Sequence, residues 1–145
     1  PSDLLAAVLL AQLEEREEIQ RSRQSRWAGY QEALGKWAQE MGVTLPHVPD
    51  HVESSWHLFH LLLPSLKARQ ALIAHLKARG VHSVFHYQPL HLSPMGRSLG
   101  GSAGLCPVVE DIADRLLRLP LFNGMVEAEQ HRVIEAVLSF PGGEG

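Results

Sequence analysis

The sequence predicts an α+β fold: a small, mostly antiparallel sheet of about three strands, helices on one face of it, and a long N-terminal helix. Three observations lead there. Residues 2–41 carry apolar side chains at helical spacing, short apolar runs at 56–63, 81–87 and 118–122 read as strands, and segments with helix start and stop signals separate those runs. The expected order is α-β-α-β-α-β-α, with no internal repeat.

The first helix is expected over 2–41, with Ser2 as its cap and Asp3 in the first turn, where the helix dipole favours negative charge. The run 4–11 is apolar nearly all round, which predicts burial on more than one side. Glu14, Glu15, Arg16, Glu17 and Glu18 form a charged middle expected to be solvated, and Trp27, Tyr30, Leu34, Trp37 and Met41 form a single stripe. Pro46 and Pro49 exclude helix after it.

A strand over 56–63 ends at Pro64, Ser65 caps a helix through Arg79, and Gly80 stops that helix. The second strand is expected over 81–87. Residues 88–106 are rich in Gly, Pro and Ser and show no period, the profile of a functional or disordered loop. Pro107 opens a helix to about Leu117, and a third strand follows at 118–122. The last helix, 126–140, presents Val133, Ile134, Val137 and Leu138, and the tail 141–145 is expected to be loose.

Composition narrows the function. A net charge of -3 leaves no basic field for nucleic acid. The run 4–11 is too short to cross a membrane, which takes about 20 residues, and nothing basic leads it as in a secretion signal. The lone Cys106 suits a reducing compartment, and cytoplasmic localisation is expected. The sequence opens at Pro1, directly before a hydrophobic helix, which reads as an internal start within a longer chain.

Nine histidines are the compositional oddity. The densest group lies in Phe85, His86, Tyr87, Gln88, Pro89, Leu90 and His91, where a strand hands over to the long loop. Imidazole and phenol there can hydrogen-bond sugar hydroxyls or phosphate oxygens; the plainer reading is ordinary polar residues at a strand end. His57 and His60, three apart in an expected strand, point to opposite faces and cannot share a metal. A lone strand histidine is ordinarily a hydrogen-bonded core or surface residue.

Zinc on His86, His91 and Cys106 fits none of the usual ligand spacings. A Cys–His nucleophile is equally weak, since helix capping explains Cys106 before Pro107. Carboxylates at Glu14–Glu18, Asp111, Glu127 and Glu129 sit on expected solvated helix faces, and nothing marks a paired acid and base. Gly100 and Gly101 lack the strand–glycine–helix context of a phosphate cradle.

Four segments in series carry a resemblance: Pro1 to Ala7 running into Ala11–Glu14; Ser55, Trp56, His57, Leu58 and Phe59; Val84 to His91 followed by Ser93 and Pro94; and Cys106 to Asp111 followed by 116–122. Together the chain resembles the C-terminal part of DegT-type sugar aminotransferases, a fold-type-I branch of the pyridoxal 5'-phosphate (PLP) enzymes. It looks closest to the branch that aminates a TDP-4-keto-6-deoxyhexose. The resemblance implies that 1–145 is one small domain, with an interdomain helix at 2–41 and a sheet-and-helix body at 45–140, beside a large PLP-binding domain outside this chain.

It further implies a ping-pong transfer from an amino acid, usually glutamate, to a nucleotide-linked keto sugar for surface polysaccharide synthesis, by a homodimer. Substrate-binding roles carry over to His57, His86, Tyr87 and His91 only. No catalytic, cofactor-binding or metal residue carries over. The family's Schiff-base lysine has no counterpart among Lys36, Lys67 and Lys77, so the chain alone is expected to be inactive and to bind no PLP. Self-association through 4–11 is expected in its place. The alternatives are a free-standing module whose histidines bind an anion or metal, and a helical assembly protein, which the charged block after the apolar run disfavours.

Overall fold

In the computed structural model, which describes residues 2–142, the chain runs α1 (Asp3–Glu14), α2 (Arg16–Glu40), β1 (Phe59–Leu62), α3 (Leu66–Ala78), β2 (Val84–Phe85), a 3-10 turn (Leu90–Leu92), α4 (Pro94–Ser98), α5 (Pro107–Arg115), β3 (Leu116–Leu119) and α6 (Glu127–Leu138). The three strands form one antiparallel sheet in the order β1-β3-β2. The predicted fold class is observed. The tail expected to be loose, 141–145, falls largely on 143–145, outside the described residues; Gly142 lies against the Met41 side chain.

The expected single helix at 2–41 is divided at Glu15, whose φ and ψ are -90° and 8°. Bonds from Glu15 N to Ala11 O and from Ile19 N to Glu15 O carry the ladder across the irregularity. Glu14 lies three and four residues from Glu17 and Glu18, spacings at which like charges repel on a helix.

The two helices differ in cover. None of α1 is buried, and Leu4, Leu5, Val8, Leu9, Leu10 and Leu13 all stand exposed, Leu4 at 77%. In α2 the predicted stripe is packed: Tyr30, Leu34, Trp37 and Ala38 are buried, with Trp27 and Met41 against the same core. Tyr30 donates its hydroxyl to Pro120 O at 2.7 Å, and burial pushes that phenol well above its usual pKa. Gly42 closes α2 at φ 64°, with Val43 N reaching back to Ala38 O, the arrangement that satisfies the last carbonyls of a helix.

The core lies between one face of the sheet and helices α2, α3 and α6. Phe59, Leu61, Leu117 and Leu119 supply the sheet side; Leu34, Leu72, Leu76, Val133 and Val137 come from the helices. Helix α3 has the predicted ends, Ser65 Oγ accepting from Ala68 N at 3.1 Å and Gly80 at φ 72°. On α6 the buried set is Gln130, Val133, Ala136 and Val137, while the expected Leu138 is exposed. Gln130 is retained inside because its amide donates to Arg26 O and its Oε1 accepts from Arg26 Nη1.

The strands are shorter than the sequence predicts. Pairing with β3 spans only Val84 and Phe85 of 81–87, and β1 begins at Phe59 because Trp56, at φ 49°, breaks the extended run before it. β3 comes earlier than expected, over Leu116–Leu119, taking Leu116 and Leu117 from the predicted helix.

Candidate functional site

Strand β2 delivers the histidine-rich segment to the edge of an open cleft of about 330 Å³, lined by His86, Tyr87, Pro89 and Leu90 on one side and Val108, Val109 and Ile112 of α5 on the other. The His86 and Tyr87 rings meet edge-on with centroids 4.0 Å apart, and Tyr87 is 65% exposed. One wall is apolar and the other carries an imidazole and a phenol, which suits a ligand with a hydrophobic body and polar substituents.

His91 does not line that cleft. Its Nε2 donates to Glu110 Oε1 at 2.8 Å, and the same carboxylate accepts from Gly104 N at 2.9 and 3.1 Å and from Cys106 N at 3.3 Å. The hydrogen bond from His91, then that from Gly104, holds the Glu110 carboxyl below its ordinary value. The backbone closes tightly above this clasp. A Cβ on Gly96 would meet Leu90 O at 2.1 Å, and one on Gly101 would meet His91 O at 2.2 Å. Residues 88–106, expected as a functional or disordered loop, thus hold the 3-10 turn, α4 and this clasp. The capping role expected for the Cys106 side chain is not observed; instead the Glu110 carboxylate reaches back to accept from the Cys106 N–H.

A second grouping forms on the face of the sheet turned away from the core. The register sets His60 opposite Arg118 and Arg118 opposite Val84, so these three share one face, and His86 lies two residues beyond Val84. Partial burial and the neighbouring His86 lower the His60 pKa; partial burial, Arg118 and His57 lower that of His86. His57 lies outside β1, so the strand alternation that was expected to set it opposite His60 does not extend to it. Strand alternation stops at Phe59, and both histidines come within electrostatic reach of His86. His57 itself is exposed, with Nδ1 2.7 Å from Ser55 Oγ.

Sequence reasoning passed over Glu110 and Arg118. Glu110 stands four residues after Cys106 in a first helical turn, a recognisable capping position, but its partner His91 is 19 residues away. Arg118 carried no local signal. A larger concavity, about 930 Å³ along the start of α2 and 50–56, is lined by Arg16, Arg21, Glu17, Asp50 and Glu53, charges of both signs, and lies apart from the histidine segment.

The residues present do not make a PLP site. Lys36 pairs with Glu40 on α2, Lys67 and Lys77 ride on α3, and none lines the cleft at 86–90. No three His, Cys, Asp or Glu side chains converge as metal ligands among the described residues.

The fold resembles that of sugar aminotransferases. DesV from S. venezuelae, solved with a ketimine intermediate, superposes with a TM-score of 0.82 at 32% identity, over 92% of this chain and 34% of its own. The sugar aminotransferase Spr1654 of Streptococcus pneumoniae, described as putative and solved in PLP form, superposes at 0.86 with 25% identity, over 96% of this chain and 35% of its own. Residues 2–138 match the DegT/DnrJ/EryC1/StrS aminotransferase family, and the chain belongs to that family. The erythromycin biosynthesis sensory transduction protein EryC1 of Saccharopolyspora erythraea is 36% identical over 120 residues, 82% of this chain and 31% of the relative. The pleiotropic regulatory protein of Geobacillus stearothermophilus is 30% identical over 139 residues, 95% of this chain and 36% of the relative. The chain thus spans about a third of the length of the curated relatives it matches.

Proposed function

We propose that this chain is the C-terminal, substrate-side domain of a PLP-dependent aminotransferase. The enzyme moves an amino group from glutamate to a TDP-linked 4-keto-6-deoxyhexose, as a cytoplasmic homodimer serving surface polysaccharide synthesis. The observation that carries the reading is the cleft of His86 and Tyr87 against α5, in a chain whose relatives run on for about twice its length again. His86 and Tyr87 bind and orient sugar hydroxyls or phosphate oxygens. Glu110 holds His91 at the foot of the segment and fixes its orientation, while His57, in the irregular stretch before β1, meets the substrate from the exposed side of His86. The cofactor, its lysine and the proton transfers at the reacting carbon belong to the part outside this chain. The bare apolar helix α1 is the seam against which that part packs.

The test is amination of TDP-4-keto-6-deoxyhexose by the longer protein, followed through release of 2-oxoglutarate. Turnover is expected from the longer protein and none from these 145 residues alone. Tyr87→Phe and His86→Ala are expected to raise KM for the sugar nucleotide more than they lower kcat. Amination by this chain alone, or a longer protein indifferent to both substitutions, overturns the reading.

A further inference from the structure

The outer face of the sheet holds a positive charge with nothing to neutralise it. Arg118 sits in the central strand, flanked through the register by His60 of β1 and Val84 of β2. Its Nε is buried without a hydrogen-bond partner. Among the described residues, no ion pair involves Arg118. A guanidinium Nε–H shut off from water and left unmatched costs stability. The groups around it are the imidazoles of His60 and His86, with His57 beyond, each able to present an N–H. No carboxylate acts on either His60 or His86.

Imidazole N–H groups beside an unpaired guanidinium suit an oxyanion that accepts a charge-assisted fork from arginine. We infer that the outer face of the sheet is an oxyanion site, in which Arg118 grips a carboxylate or phosphate group and His60 and His86 flank it. This rests on the substrate-cleft reading above and extends it from the cleft onto the sheet, since His86 borders both. A carboxylate would come from the amino donor, a phosphate from the nucleotide; the face recognises what the two share.

The test follows the histidine ring and arginine Nε–H signals of this chain by NMR during separate titrations with inorganic phosphate, glutamate and TDP. Saturable shifts at His60, His86 and Arg118 are expected. Arg118→Gln is expected to weaken binding at least about tenfold, with Arg118→Lys intermediate. The methyl dispersion of Leu117 verifies that each variant is folded. Saturation by glutamate at lower concentration than by TDP assigns the face to the donor, and the reverse order assigns it to the nucleotide. No saturable shift with any of the three, or equal binding by Arg118→Gln, overturns the proposal. If TDP still moves Tyr87 and Gln88 while His60 and Arg118 stay silent, only this inference falls. If TDP moves none of them, the substrate cleft falls as well.

Discussion

The two faces of the sheet are one residue apart in sequence and opposite in chemistry. Phe59, Leu61, Leu117 and Leu119 point inward and are almost wholly buried, whereas His60, Arg118 and Val84 point outward and remain partly open. The inner set is ordinary close packing. The outer set contains an unpaired cation among imidazoles, which no requirement of folding explains. In this strand, then, successive side chains alternate between holding the domain together and offering a surface to something else.

The contrast breaks most sharply at adjacent positions of β3. Leu117→Ala removes a fully buried side chain and is expected to destabilise by about 2–5 kcal/mol, read from urea denaturation. Arg118→Gln, which removes the unmatched buried Nε–H, is expected to leave stability unchanged or raise it while removing anion binding. Equal losses at both positions would erase the distinction between the faces.

Helix α1 is a third surface, apolar like the inner face but without its cover. Burying each of its large aliphatic side chains stabilises by about 1.5–3 kcal/mol, so the chain alone is expected to self-associate. Leu5→Gln with Leu9→Gln should return it to a monomer in sedimentation equilibrium. A wild-type chain that is already monomeric at high concentration would remove the evidence that α1 seeks a partner.

Smaller effects come from the titrating groups. The folded pKa of His60 and of His86 lies below the unfolded value, so the unfolded chain binds more protons and stability falls as pH drops below about 6.5. An oxyanion on the outer face should blunt that fall, because it favours the charged imidazoles. The Glu110 carboxyl is also depressed, so its contribution is full above the unfolded carboxylate pKa and lost as pH falls through the lower, folded one. Glu110→Gln should therefore shrink its stability difference from wild type in acid. At neutral pH it should loosen 88–106, seen as faster amide exchange at Gly104 and Cys106.

What the sequence disclosed was what is local. Ser65 and Gly80 announced both ends of α3, Pro107 opened α5, and the spacing of Tyr30, Leu34 and Trp37 named the buried side of α2. Each signal acts within a turn or two of helix. The outer face was hidden because it depends on which strands pair and in what register. Nothing near Arg118 says that His60 will lie opposite. The clasp of His91 on Glu110 was hidden likewise, since it closes only after the intervening chain has folded. His86 and Tyr87 were legible as candidates from their crowding at a strand end, but their cleft needs α5, a helix whose position the spacing of residues does not encode.

The strand order has a consequence for how the chain is made. β1 and β2 do not pair with each other; both wait for β3, the last strand in sequence and the middle one in space. During synthesis from the N-terminus the ribosome delivers the two outer strands first. Neither has a sheet to join until Leu119 has emerged. Until then the nascent chain carries unpaired strand edges alongside the bare helix α1, and the arrival of the central strand pairs one edge of each outer strand while α1 stays open.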